Sequence, residues 1–157
     1  MRRLMRALLV LAVPAMLVTG VSAATAAPEA PASAALASCN SFTNVYLDGR
    51  YSLHVPSTSR GSGNFNCEVT RGDNNVAVLA LQESLNTCYQ QGIAEDRDFG
   101  ANTERAVRNA QNKINQAHGP DVLTVDGRFG PKTSSYFRFQ LYDEWYGGAH
   151  TDACAYR

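Results

Sequence analysis

Residues Val125–Thr133 read VDGRFGPKT, and residues Glu95–Thr103, thirty positions earlier, read EDRDFGANT. Both contain Asp-x-x-Phe-Gly-x-x-Thr: Asp96, Phe99, Gly100 and Thr103 in the first, Asp126, Phe129, Gly130 and Thr133 in the second. Each position has a physical logic. Asp starts a turn, because its carboxylate accepts nearby backbone amides. Phe is expected to plug the space between helices, and Gly permits backbone angles that other residues resist. Pro131 suits the first position of a helix. Thr103 and Thr133 fall in the first turn that follows, where a side-chain oxygen can satisfy free amides.

Helical patterns flank both stretches. Val78, Leu81, Gln82 and Leu85 stand at i, i+3, i+4 and i+7, with Asp73–Asn75 as N-cap candidates and Gly92 as a stop. Val107, Ala110, Gln111 and Ile114 repeat that spacing 29 residues on, in a helix expected from about Ala101 to Ala117. Glu104 precedes Arg108 by four, a favourable pair. A third helix is expected to start at Pro131, carry Tyr136, Phe137, Gln140, Leu141 and Trp145, and stop at Gly147-Gly148. The fold class read from this is mainly α: a compact three-helix domain over residues 71–157, with an internal helix–loop repeat and a C-terminal tail.

Residues 39–70 read differently, as a small β-hairpin extension. Asp48-Gly49 between apolar runs signals a tight turn, which sets Tyr46 opposite Tyr51, Asn44 opposite Leu53 and Phe42 opposite Val55. One face of that hairpin is then apolar and the other polar. The chain has four cysteines, Cys39, Cys67, Cys88 and Cys154. An even count in a short exported chain reads as two disulfides. Cys39 and Cys67 bracket the hairpin, while Cys88 ends the first helix and Cys154 lies in the tail, so the expected pairs are Cys39–Cys67 and Cys88–Cys154. The alternatives, Cys39–Cys88 with Cys67–Cys154 or Cys39–Cys154 with Cys67–Cys88, tie the hairpin to the helices instead.

The start of the chain reads as targeting. Arg2, Arg3 and Arg6 precede an apolar run from Ala7 to Val18, and Ala24-Thr25-Ala26 supplies a cleavage site, so residues 1–26 are expected to be a secretory signal peptide. Residues 27–38 are rich in Ala, Pro and Ser and read as a flexible leader. Leu36-Ala37-Ser38-Cys39 has the form of a lipidation signal. It is displaced from the apolar run by Pro28, Glu29 and Pro31, however, and modifying Cys39 leaves an odd number of cysteines. Cleavage removes three arginines, leaving 11 basic residues against 14 acidic. A mildly acidic protein argues against nucleic acid as partner and against simple adhesion to anionic polymers or membranes.

The ordered set resembles the bacterial peptidoglycan-binding domain of the type 1 family. Gly72-Asp73 leads into Val78, Leu81, Gln82 and Leu85. Asp96, Phe99, Gly100 and Thr103 match the family's first loop, and Val107, Ala110 and Gln111 its second helix. Asp126, Gly127, Phe129, Gly130, Pro131 and Thr133 match its second loop completely. The resemblance spans about residues 72–142. It departs at Arg97, where the family has Gly; at Ala101, where it has Pro; and at Ala110, where it has Phe. It implies a non-catalytic module that binds peptidoglycan, is secreted and wall-associated, and uses no cofactor.

Most motif residues read as structural, so ligand contacts are expected from side chains around the loops: Arg105, Gln111, Arg128 and Tyr136. These can hydrogen-bond peptide carboxylates and amides or stack on sugars. Glu95, Asp96 and Asp98 form a short acidic run without an ordered calcium loop. Of His54, His118 and His150, only His150-x-Asp152 has metal-ligand spacing, and there is no His-Glu-x-x-His or Gly-x-Ser-x-Gly. No metal site is therefore expected. A wall hydrolase or peptidase is the rival reading, but only about 50 residues outside the three-helix module are left to build it. A secreted interaction or inhibitor protein on the same scaffold is the third. A partner wall enzyme is not specified by the sequence.

Overall fold

The computed structural model describes residues 35–157. The expected signal peptide and the leader as far as residue 34 lie outside them. The described chain forms β1 (Ala37–Ser38), β2 (Ser41–Tyr46), β3 (Tyr51–Ser57), β4 (Cys67–Glu68), α1 (Val76–Tyr89), α2 (Ala101–His118), α3 (Pro131–Tyr136), β5 (Arg138–Asp143), a 3-10 turn (Glu144–Tyr146) and β6 (Ala149–Tyr156).

The first two helices form where their sequence punctuation puts them. Asn75 caps α1, its Oδ1 accepting from the amides of Ala77 at 2.9 Å and Val78 at 3.2 Å. The stop comes at Gln90 rather than Gly92: Gln90 takes the left-handed conformation, φ 54°, and its amide bonds back to Asn86. Gly119 follows α2 directly, and Pro131 opens α3.

The fold is not mainly α. Of the described residues, helix takes 33% and strand 28%, the strands lying in two sheets. The expected third helix lasts only six residues, and the chain then becomes strand. Phe137 and Phe139 are both fully buried, an alternation that a strand explains and a helix does not. The stretch is also rich in aromatic residues, which favour pleated, half-buried surfaces. β5 inserts beside β3 and carries β6 on its other edge, giving an antiparallel sheet of order β2-β3-β5-β6. Cys154 in β6 is bridged to Cys88 at the end of α1, so the tail is a strand pinned to a helix.

The hairpin is present, but its register is one step from the expected one. Tyr46 faces Ser52, Asn44 faces His54 and Thr43 faces Val55. The carboxylate of Asp48 sets this register. Its Oδ1 accepts from the amides of Arg50 at 2.8 Å and Tyr51 at 2.7 Å, closing a connection in which Leu47 donates to the Tyr51 carbonyl at 3.0 Å. Gly49 is not left-handed, so the tight Asp-Gly turn does not form. The polar face of β3 is not left to solvent: β3 is an inner strand, and Ser52 and Ser57 are as buried as Leu53 and Val55.

Helix α1 packs against β3 and β5, and Val78, Leu81 and Leu85 join Leu53, Val55, Phe137 and Phe139 in one core with Phe99 and Phe129. Phe129 meets Phe137 edge to face, with ring centroids 5.0 Å apart. The segment from Cys67 to Asn75 runs between the two motif loops and bonds to both. Val69 exchanges two backbone bonds of 2.9 Å with Phe129, and Asp73 accepts from the Phe99 amide at 2.9 Å. The Cys39–Cys67 bridge fastens the start of this segment to the end of the leader, where β1 lies parallel to β4. That bridge occupies the thiol that lipidation of Cys39 needs.

Candidate functional site

Each motif loop is held by one buried glutamine. Gln82 on α1 donates from Nε2 to Asp96 Oδ1 at 2.8 Å, to the Asp98 carbonyl at 3.1 Å and to Thr103 Oγ1 at 3.1 Å, while its Oε1 accepts from the Arg97 amide at 3.0 Å. Gln111 on α2 does the same for the second loop. It donates to Asp126 Oδ1 at 2.8 Å and the Arg128 carbonyl at 3.0 Å, and accepts from the Gly127 amide at 2.9 Å. A primary amide suits this position because it donates and accepts from one planar group, so a single side chain satisfies both polarities of a loop. Thr103 Oγ1 donates to the Asp98 carbonyl at 3.1 Å and Thr133 Oγ1 to the Arg128 carbonyl at 3.5 Å. The threonines thus close their loops rather than cap helix amides; the N-caps are Gly100 and Gly130, with no side-chain cap bond.

The loops differ at one backbone position. Gly127 has φ 77°, and a Cβ there would come within 2.8 Å of Glu104 Cγ and 3.0 Å of Arg108 Nε. Glycine is required for both the angle and the close approach to α2. Its counterpart Arg97 adopts φ 67° without glycine's freedom. Arg108 ties the second loop to α2 by donating to the Val125 carbonyl at 2.9 Å and pairing with Glu104 at 2.8 Å. Arg108 and Arg71 hold the Glu104 carboxyl below its usual range.

Beside each loop lies a cleft. The second, of about 210 Å³, is walled by Leu36, Glu68, Leu123, Thr124, Asp126, Arg128 and the start of α3 from Gly130 to Thr133. The first, of about 230 Å³, is walled by Ile93, Ala94, Asp96, Asp98 and the start of α2 from Gly100 to Thr103. Most of the walls correspond at an offset of thirty residues, but their charge does not. The first carries Asp96 and Asp98. The second carries both signs: Arg128 and Lys132 against Asp126 and Glu68. Arg128 donates from Nε to Glu68 Oε2 at 3.0 Å and from Nη2 to Glu68 Oε1, and this pairing raises its already high pKa. The guanidinium is permanently charged, held at one end, and still half exposed. In the first cleft the amide of Gln82 lowers the pKa of Asp96, helped by the Asp98 amide.

The four expected contact residues are not brought together. Arg128 lines the second cleft. Arg105 lies on the exposed side of α2, bonded at 2.7 Å to Asn102, a wall residue of the first cleft. Gln111 is only 1% exposed and spends its amide on the loop, so it stands inside the wall. Tyr136 is half-buried beside His118, ring centroids 5.5 Å apart, on α3. Sequence reasoning missed Lys132, Glu68 and Leu36. Lys132 was readable as an unspecified motif position; Glu68 and Leu36 reach the cleft only through the β1–β4 pairing.

The rival chemistries are placed as follows. Glu95 accepts from Asn86 at 2.8 Å, so the acidic run is spread over separate partners. Among the described residues no group of three or more His, Cys, Asp or Glu side chains is arranged to hold a metal ion. His54 is stacked between Phe42 and Tyr142 at 4.2 and 3.6 Å, and burial lowers its pKa to about 4. Glu83 accepts from the Tyr142 hydroxyl at 2.6 Å and lies 3.9 Å from His150; burial raises its pKa.

Residues 74–135 match the family described as "Putative peptidoglycan binding domain". The match supports a peptidoglycan-binding domain over that span, which contains both glutamine clamps, both loops and most of both clefts. No curated protein and no solved structure matches the chain. The two disulfides, together with the match to a peptidoglycan-binding family, point to an extracellular, wall-related location.

Proposed function

We propose that this chain is an exported, non-catalytic module that holds peptidoglycan through the cleft beside its second motif loop. The observation that carries the reading is the family match, whose span includes that cleft's floor and the start of α3. The charge pattern favours the second cleft over the first. Wall stem peptides carry free carboxylates and amines, and the second cleft offers Arg128 and Lys132 for the former and Asp126 for the latter. Arg128 is pre-positioned by Glu68, so little side-chain entropy is lost when an anion binds. Apolar Leu36, Leu123 and Pro131 suit the short aliphatic side chains of such peptides. Arg105 and Asn102 are the corresponding polar contacts at the first cleft, and Tyr136 is a flanking ring. The repeated motif builds two similar seats, of which the second has the more suitable charge.

The test is a pull-down of the chain on purified insoluble peptidoglycan, with soluble wall fragments assayed in the same tube. Retention without release is expected. Release of fragments would make the protein a hydrolase, and absence of retention would remove the wall as its partner.

A further inference from the structure

We propose that the turn end of the four-stranded sheet is a carbohydrate-binding platform that stacks on the glycan strand, a β-1,4-linked chain of N-acetylated aminosugars. The inference rests on the wall-binding reading but concerns residues outside the matched span. Six large hydrophobic residues are exposed among the described residues, and four of them sit on the two connections at this end: Tyr46 at 62% and Leu47 at 44% beside the β2–β3 turn, Trp145 at 72% and Tyr146 at 74% between β5 and β6. Exposed rings so concentrated mark an interaction site rather than scattered surface.

Trp145 is held at both its backbone and its ring. Arg50 in the hairpin turn donates to Asp143 Oδ2 from Nε at 2.9 Å and from Nη2 at 2.6 Å, and its carbonyl accepts from the Glu144 amide at 2.7 Å. Asp143, 6% exposed, in turn accepts from the Trp145 amide at 3.1 Å. The Arg50 guanidinium lies over Tyr51 and over Trp145, 4.8 and 5.1 Å from the ring centroids. A part-buried ion pair, its arginine side chain 37% exposed and its aspartate 8%, thus links the two loops and sets a guanidinium over an indole that remains mostly in water. A fixed ring loses little freedom on binding.

Flat rings rimmed by arginine, carboxylate and hydroxyl groups suit a sugar. One face of a pyranose chair presents axial C–H groups that lie against an aromatic ring, while its edge hydroxyls need polar partners. Tyr46 extends the platform, since it also lines a cleft of about 280 Å³ along the free edge strand β2 with Phe42, Asn44 and Arg60. A protein partner fits less well: a standard interface takes about 800 Å² and 20–30 residues from each side, more than two short connections supply.

Trp145 is the only tryptophan in the chain, so its emission reports on this site alone. The probe is the hexamer of β-1,4-linked N-acetylglucosamine, which carries no peptide. A saturable change in Trp145 emission is expected, with affinity about tenfold weaker in Tyr146→Ala. By calorimetry Trp145→Ala should bind weakly or not at all, and Trp145→Phe should recover part of the loss. No saturable response, or equal affinity in Tyr146→Ala, overturns the proposal. So does a change of mass in solution on Trp145→Ala, which would mean that a second copy covers the rings. Retention on insoluble peptidoglycan is measured on the same samples. Retention without hexamer binding sinks the platform alone, whereas loss of both sinks the wall reading.

Discussion

Arg97 and Gly127 occupy the same place in their loops, both left-handed, and only one is glycine. An L side chain in that region costs roughly 1–2 kcal/mol, part of which glycine returns as unfolded-state entropy. Arg97→Gly should therefore stabilise the protein by up to about 1 kcal/mol, read from chemical denaturation. Gly127→Ala should destabilise it by more than that, because the new Cβ also meets Glu104 and Arg108. Phe129→Ala should cost about 3–5 kcal/mol, since the ring is buried against Phe137 and Phe139; a variant that stays folded yet loses the wall would make Phe129 a ligand contact instead. His54 gives a pH signature. Its folded-state pKa is depressed from 6.5 to about 4 by burial, so the unfolded chain takes up the proton first as pH falls. The stability it contributes is present above pH 6.5 and is lost as pH falls through about 4. His54→Phe keeps a ring between Phe42 and Tyr142 and should flatten the fall of Tm across that window. Gln111 shows the limit of reading at this scale. A glutamine on a helical stripe signals either a ligand contact or an internal clamp, and only the loop it faces, with Gln82 repeating the arrangement, decides for the clamp.

Helices α1 and α2 were legible because period, cap residues and breakers agree locally. The hairpin's existence was legible too, but its register was not. Asp-Gly favours a two-residue turn, and the Asp48 carboxylate overrides it by gathering two backbone amides. The stretch from Phe137 to Tyr146 was misread for a non-local reason. Its apolar residues fit a helical stripe, but β3 presents an unpaired edge from ninety residues earlier, and pairing with it buries both faces of the segment. No local pattern announces that edge. The disulfides were readable because Cys39 and Cys67 bracket the hairpin and the other two join the end of α1 to the tail, even though that tail is strand. Replacing Cys88 and Cys154 by Ser opens a loop of 66 residues, worth about 4 kcal/mol on the chain-entropy model. The loss should fall on β6. Amide exchange in Ala149–Tyr156 is expected to rise strongly while α2 keeps its protection; equal loosening of both would show that the bridge does not act through the tail.

At the scale of the whole molecule, the second loop, the strap from Cys67 to Asn75 and the leader's end converge on one cleft, while the sheet carries its exposed rings outside the matched span. The candidate cleft was legible in part. The motif pointed to the loops and Arg128 was singled out, but the cleft's other wall comes from the β1–β4 pairing, which depends on a disulfide and not on any local pattern. The chain is proposed to bind wall peptide through this cleft. The most direct measurement is an amide chemical-shift titration of the chain with a soluble stem-peptide fragment of peptidoglycan, repeated on Arg128→Ala/Lys132→Ala. Saturable shifts confined to Thr124–Thr133 and Glu68, weakened at least tenfold in the double variant, are the predicted result. Saturable shifts elsewhere, or none at millimolar ligand, would contradict it.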